Sequence, residues 1–388
     1  MLDLVRNKKV LINAHQLYYT SERLNPRHNP TSPSSLTSIQ TDQLLQPKSS
    51  IFSLPASLPV IDHGDHHSHE PEICTLKPSD LTLLSRWCVS TYRSLTPDGK
   101  NGQIWRSTIV REAMSNPPLL NSILAVAALD IAYTCGGDSA QRDQHDHQQI
   151  QCLAVLHWDQ ARAGLEKQLN RDRSERCRKE SNFMMAMCNI LIILAFGHIR
   201  MPPFSSGSAL VDLCHIFRQL RGSPEVLLRL IDEVKPSEEL AFLVRQENGP
   251  TMPNTSTLAI HALRKLHNDD SKGRNYPQTR EIYNKAIDSL ASCLRYIAWG
   301  SHPGLVGISW PLEVPAVFVD LVLDHQPMAL TIMAHYCVVL YHLRSHWWMG
   351  AFGIKVLEEI RKLLGSDRLE NIQWAIDGIS TDGTTHFD

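Results

Sequence analysis

The sequence predicts an all-α fold, an irregular multi-helix bundle formed by one large domain over residues 76–388. From Ser79 onward, apolar residues recur with the 3.6-residue period of amphipathic helices, and convincing strand alternation is absent. The interruptions between helical segments, such as 134–144 and 201–207, are short and either polar or rich in Pro and Gly. A chain of 388 residues with 43% hydrophobic residues is also long enough to enclose a large core.

Residues 1–75 differ in composition from the rest of the chain. Residues 26–59 are dense in Ser, Thr, Pro, Gln and Asn, so we expect a disordered or poorly ordered N-terminal segment. The tract IDHGDHHSHE at 61–70 places four His among three acids. Because a metal site needs fixed ligand geometry, we interpret this tract as a solvated linker. No metal or other cofactor is expected.

The helices follow one another along the rest of the chain. Ser181 is suited to cap a long apolar helix that Gly197 ends, and Pro327 is suited to open another. We expect helices over residues 79–95, 104–114, 117–135, 147–170, 181–197, 207–220, 224–231, 236–247, 254–267, 276–299, 312–323, 327–347 and 351–364.

Residues 310–348 combine prolines, tryptophans and helical apolar spacing, which predicts a buried helical hairpin. Pro311 and Pro315 restrict the residues before them and donate no backbone hydrogen bond, so they suit a turn and a helix start. The helix that begins at Pro327 is expected to end at a Trp pair. Its apolar stripe consists of Ala329, Ile332, Met333, Tyr336, Cys337, Leu340 and Leu343.

The totals exclude several classes of protein. The formal net charge is −2, so no overall basic excess attracts nucleic acid. The nine cysteines are odd in number and widely spaced, which argues against a disulfide framework and for a reducing intracellular compartment. The most apolar run, residues 183–197, is shorter than the roughly 20 residues that cross a bilayer, so we expect no membrane span.

Standard catalytic signatures are missing, including G-x-S-x-G, H-E-x-x-H, the P-loop and G-x-G-x-x-G, so no catalytic residue is assigned. A Met-rich helix and an aromatic-rich hairpin are nevertheless what a lipophilic pocket would use. Core packing is the competing interpretation, particularly for the methionines and for a single His on a helix. The candidate pocket residues are Met184, Met187, Trp310, His335, Tyr336 and Trp347.

Several packing motifs resemble those of a known family. Trp310-Pro311, His335-Tyr336 and Trp347-Trp348 are similar to the C-terminal region of fungal transcription regulators of the sterol uptake control type. The stretches LLSRWCVSTYRSL (83–95), NPPLLNSILAVAALDIAY (116–133) and HWDQARAGLEKQL (157–169) resemble the earlier helices of the same regulatory domain. Together these motifs cover roughly residues 80–375, in order.

The resemblance implies an all-helical domain that senses a lipophilic metabolite and controls gene expression in the nucleus. Family members usually carry a zinc cluster of six closely spaced cysteines, but the closest pair here, Cys177 and Cys188, lies eleven residues apart. Direct DNA binding is therefore not expected from these residues. Three explanations remain open: the sequence is that of a truncated regulator, the protein acts through protein partners without touching DNA, or the helical domain serves another purpose.

Two functional hypotheses remain open at this point. The first is a transcription regulator of secondary or sterol metabolism, whose partners are a sterol, terpenoid or polyketide and a second protein or copy of the chain. We expect the protein in the nucleus, with the cytoplasm as the alternative. The second hypothesis is an enzyme derived from such a regulator. It would catalyse a pericyclic, Diels–Alder type cyclisation of a terpenoid or polyketide intermediate by holding it in one shape.

Overall fold

The computed structural model describes residues 76–95, 102–134, 142–169, 178–201, 205–220, 251–271, 277–297 and 310–380. All of them fall within one compact unit, Glu72–Asp388. These ranges contain thirteen α-helices and no strand, so the all-α prediction is confirmed. The N-terminal segment 1–75 and the helices expected over 224–231 and 236–247 lie outside the described residues.

The helices range in length from 4 to 28 residues. In chain order they are α1 Pro78–Val89, α2 Ile109–Ala113, α3 Pro117–Thr134, α4 Arg142–Leu169, α5 Arg178–Ile199, α6 Ala209–Leu220, α7 Asn254–Ser271, α8 Pro277–Ile297, α9 Trp310–Glu313, α10 Ala316–Leu323, α11 Pro327–His342, α12 Phe352–Leu364 and α13 Gln373–Ser380. Two 3₁₀ segments, Thr91–Ser94 and Ser366–Ile372, and one π-helical turn, Ile104–Thr108, complete the described structure.

Helix α3 is the centre of the N-terminal group, α1–α6. Its residues are buried almost all round, because α1, α2, α4 and α5 pack against it. By length and composition α3 could cross a membrane, yet two thirds of it is covered by these neighbours, which is typical of a core helix. Its buried Asp130 accepts hydrogen bonds from Arg86 Nε (2.8 Å) and Thr91 Oγ1 (2.6 Å), which ties α1 to α3.

Helix α11 is the centre of the C-terminal group, α7–α13. Every residue from Met328 to Tyr341 is buried, and α8, α10, α12 and α13 pack around it. Pro327 starts the helix, as the sequence predicts, after a bend of 105° from α10. Gly353 lets α12 approach closely, because a Cβ placed there would lie 2.8 Å from Leu340 Cβ.

The predicted end of α11 is wrong, since the helix stops at His342 and does not reach residue 347. The amides of Leu343 and Arg344 bond to carbonyls three residues earlier, which tightens the chain into turns. This change of direction takes Trp347 and Trp348 out of the helix, and both indoles donate to Ser94, at Oγ (2.8 Å) and at the carbonyl (3.2 Å). Helix α13 was not predicted either.

The two groups of helices share one hydrophobic core. Phe196 of α5 contacts Trp348 and Phe352, each with ring centroids 6.3 Å apart. Arg200, at the end of α5, donates to the Trp347 carbonyl and to Tyr133 Oη (3.2 Å), so one guanidinium joins three segments. Long-range contacts of this kind make the N-terminal helices dependent on the C-terminal ones.

Candidate functional site

Five aromatic side chains from five helices meet at one place in the core. We call this set the aromatic cluster, and its members are Phe217 (α6), Tyr283 (α8), Trp310 (α9), Phe318 (α10) and Tyr336 (α11). All five are buried. The cluster is therefore the place where the C-terminal hairpin meets α6 and α8.

Trp310 is the central ring of the aromatic cluster. Its centroid lies 4.4 Å from that of Tyr336 with the planes tilted by 33°, and the rings of Phe217 and Phe318 form T-shaped contacts with it, each with centroids 5.5 Å apart. Its indole Nε1 donates to the Ala286 carbonyl at 3.0 Å, which fixes the ring orientation. Such ring pairs contribute about 0.5–1.5 kcal/mol each beyond area burial, so the cluster stabilises the packing of the helices that supply its rings.

The Tyr336 hydroxyl is the chemically notable atom of the aromatic cluster. Its side chain is 0% exposed, and no described residue bonds to the hydroxyl oxygen. Burial raises the pKa of the phenol well above its usual value, and the nearby Cys293, Cys337 and Glu313 act in the same direction. The phenol is therefore neutral and able to donate or accept one hydrogen bond. An unpaired buried hydroxyl costs about 1–3 kcal/mol, so this atom is a candidate contact for a polar group of a ligand.

His335 precedes Tyr336 in the chain but faces a different part of the core. Its ring stacks on Trp374 of α13, with centroids 5.3 Å apart and planes 12° from parallel. Its Nδ1 donates to the Thr331 carbonyl at 2.9 Å, and burial lowers its pKa to about 4. His335 is thus a neutral core histidine with its own partner, outside the aromatic cluster.

The other predicted pocket residues are dispersed. Trp347 is half-buried at the end of the bundle near Tyr133, with ring centroids 5.7 Å apart. Met184 and Met187 are buried in α5. Among the six candidates, the structure brings only Trp310 and Tyr336 into ring contact. Phe217, Tyr283 and Phe318 were missed, because in the sequence they are ordinary apolar positions of amphipathic helices.

No group of three or more His, Cys, Asp or Glu that could hold a metal ion occurs within the described ranges. The cysteines there are free thiols, and burial raises the pKa of Cys188 and of Cys214 to about 12. Because the thiolate is the reactive form, these two cysteines are not activated nucleophiles. The chemistry that the site offers a ligand is therefore that of aromatic faces and the neutral Tyr336 hydroxyl.

Comparison with known proteins gives one informative result. Residues 82–245 match the family model of the fungal specific transcription factor domain. A search of curated proteins gave no significant match. The matched region spans α1 to α6, including Phe217 of the aromatic cluster, and is less than half of the chain. Over residues 82–245 the chain is thus similar to the fungal specific transcription factor domain, which supports a role like that of a transcription regulator.

Proposed function

We propose that the chain regulates transcription in the nucleus in response to a lipophilic metabolite bound at the aromatic cluster. The family similarity supports the regulatory part of the proposal. The observation that carries the ligand-binding part is the buried Tyr336 hydroxyl, which has no partner among the described residues. A ligand with an apolar body and one hydroxyl or carbonyl group would supply that partner.

The neutral phenol suits such a ligand. It can donate to a ketone or ester oxygen and can accept from an alcohol, while the aromatic faces contact the apolar body. Sterols, terpenoids and polyketides all combine these two properties. No observation favours the cyclisation hypothesis over this proposal.

Ligand binding would act through helix packing. The rings of Trp310, Phe217 and Tyr336 now lie against one another, so a ligand reaching the hydroxyl must displace at least one of them. Displacement would change how α6 and α9 pack on α11, and α11 contacts most of the C-terminal group. A ligand that prefers the displaced arrangement shifts the population towards it.

The output of the domain would be a changed surface for a second protein or a second copy of the chain. DNA contact would come from that partner or from a separate module. By its resemblance to sterol uptake control regulators, the controlled pathway is sterol or secondary metabolism.

A reporter assay tests the proposal. The chain is fused to a heterologous DNA-binding domain in fungal cells, and transcription is measured across concentrations of sterol, terpenoid and polyketide compounds. We expect at least one class to change transcription, and Tyr336→Phe to raise the half-maximal concentration about tenfold, as the loss of one hydrogen bond implies. Tyr341→Phe is the matched control, since Tyr341 lies on the same helix but outside the aromatic cluster.

The proposal fails if none of these compounds changes transcription while the fusion protein is present at normal levels. It also fails if a response occurs but Tyr336→Phe and Tyr341→Phe behave alike, because the ligand would then not bond to the Tyr336 hydroxyl.

A further inference from the structure

A polar cleft lies between the end of α5 and the beginnings of α6 and α12. Its volume is about 260 Å³, close to the lower end of the range for small-molecule pockets, roughly 300–1,000 Å³. At ~30 Å³ per water, this is room for roughly nine waters or a small metabolite. The described lining residues are Ile199, Arg200, Ser205, Gly207, Ala209, Asp212, Ala351, Phe352 and Lys355.

Two cationic side chains line the cleft, and neither has an acidic partner among the residues that the structure describes. Within the described part of the chain, the half-buried Arg200 guanidinium donates to the Trp347 carbonyl and to the Tyr133 hydroxyl, both neutral acceptors, and its carbon lies 5.0 Å from the centroid of the Tyr133 ring. The Lys355 side chain is exposed and forms no ion pair with any residue in the described ranges. A half-buried guanidinium is normally stabilised by an anion. Since no described residue supplies one to Arg200, the cleft wall is suited to bind an anion from solution.

The single described carboxylate in the lining does not fill this role. Asp212 is 3% exposed, and its two oxygens accept from Ser205 Oγ and from the Ser206 amide, each at 2.7 Å. Those bonds hold the loop before α6 and occupy the carboxylate. With two cations and one anion among the described lining residues, the cleft carries a net positive charge.

We propose that this cleft binds a small organic anion carrying a carboxylate or phosphate group, with Arg200 and Lys355 as its cationic contacts. Ile199 and Phe352 provide apolar surface for the body of the molecule. The site goes beyond the function proposed above, because the cleft and the aromatic cluster have no lining residue in common. The same chain would then respond to two chemically different molecules.

Isothermal titration calorimetry of the full chain tests this site with two probes, citrate and inorganic phosphate, against sodium chloride at equal ionic strength. We expect saturable binding of one anion per chain. Binding of citrate alone identifies carboxylates as the ligand class, and binding of phosphate alone identifies phosphate compounds. Lys355→Ala should weaken that binding about tenfold, the usual size of a charge-assisted hydrogen bond.

The control variant is Lys362→Ala, which removes the same charge from an exposed position on the same helix, outside the cleft lining. It should bind the probe as the unmodified chain does. The proposal is overturned if neither probe binds saturably, or if Lys355→Ala binds as tightly as Lys362→Ala. Neither result would affect the reporter response at Tyr336, so failure here is distinguishable from failure of the regulatory proposal.

Discussion

At the scale of single residues, two adjacent side chains of α11 differ in their hydrogen bonding. The Tyr336 hydroxyl is buried without a partner among the described residues, whereas His335 donates to the Thr331 carbonyl and stacks on Trp374. Successive positions on a helix are separated by about 100°, so neighbours in sequence face different helices. This separation places Tyr336 at the candidate site and leaves His335 as part of the core.

The Tyr336→Phe variant should be more stable than the unmodified chain when no ligand is present. The substitution removes a buried polar atom that has no partner and keeps the ring contacts with Trp310 and Phe217. We expect the free energy of unfolding to rise by about 1 kcal/mol, measured by urea denaturation. A decrease of similar size would show that the hydroxyl is already hydrogen-bonded in the free protein.

The stability of the protein should fall as the pH is lowered, in part because of His335. Burial lowers its folded-state pKa from 6.5 to about 4, so the unfolded chain takes up a proton more readily between these values. The stabilisation is fully present above pH 6.5 and is lost as the pH falls towards 4, by roughly 3 kcal/mol at 1.36 kcal/mol per pKa unit.

The His335→Gln variant isolates this contribution. The difference in unfolding free energy between the unmodified chain and this variant should shrink as the pH is lowered from 6.5 towards about 4. Urea denaturation at several pH values measures it, with His261→Gln, at an exposed position of α7, as the control. A difference that stays constant across the range would rule out a buried, neutral His335.

At the scale of elements, several helix starts follow local chemistry, whereas helix ends and close approaches follow the neighbours. The start expected at Ser181 is wrong, since α5 already begins at Arg178. Pro327 begins α11 in agreement with the prediction, because a proline at the first position fits the helix without losing a hydrogen bond. The end at His342 is set by turns that direct Trp347 and Trp348 towards Ser94, some 250 residues away in the chain. No pattern within residues 327–347 encodes that contact.

Two glycines on the helices that pack against α11 give a matched pair of substitutions. Gly353→Ala would place a Cβ 2.8 Å from Leu340 Cβ and 3.1 Å from the Cys337 carbonyl, so α12 must move away. We expect it to lower the unfolding free energy by about 2 kcal/mol, despite the better helix propensity of Ala. In α13, the Cβ added by Gly378→Ala would lie 3.6 Å from the Val338 side chain, an ordinary contact distance. This substitution should raise the unfolding free energy by about 0.5–1 kcal/mol, because Ala has the better helix propensity.

Thermal and urea denaturation of both variants provide the measurement. If Gly353→Ala is as stable as Gly378→Ala, then α12 does not approach α11 as closely as the structure places it.

At the scale of the whole molecule, the family-matched region and the C-terminal hairpin form one core. Helix α6 belongs to residues 82–245, yet its Phe217 packs edge-to-face with both Trp310 and Tyr336. Glu359 of α12 accepts hydrogen bonds from Ser208 Oγ and from the Leu210 amide (3.0 Å), which caps the start of α6. The matched region therefore lacks part of its own core and one of its caps.

A fragment that ends at residue 250 should not fold cooperatively, because it would expose the faces of α3, α5 and α6 that the C-terminal group covers. A fragment that starts at residue 76 should unfold at the same urea concentration as the full chain, as expected for a poorly ordered N-terminal segment. Circular dichroism with urea denaturation measures both. A sharp unfolding transition in the first fragment would show that residues up to 250 fold without the C-terminal group. A lower urea midpoint in the second fragment would show that residues 1–75 contribute to stability.

The sequence by itself determined the all-α class and several helix starts, and it placed Trp310 and Tyr336 among six candidate residues. These features depend on the spacing of apolar residues and on the backbone chemistry of Pro and Gly, which are local properties. Only the tertiary structure decided which rings meet, that the Tyr336 hydroxyl has no partner among the described residues, and that Arg200 and Lys355 line one cleft. The reason is that such partners come from helices far apart in the chain, and their approach depends on how whole helices cross and pack.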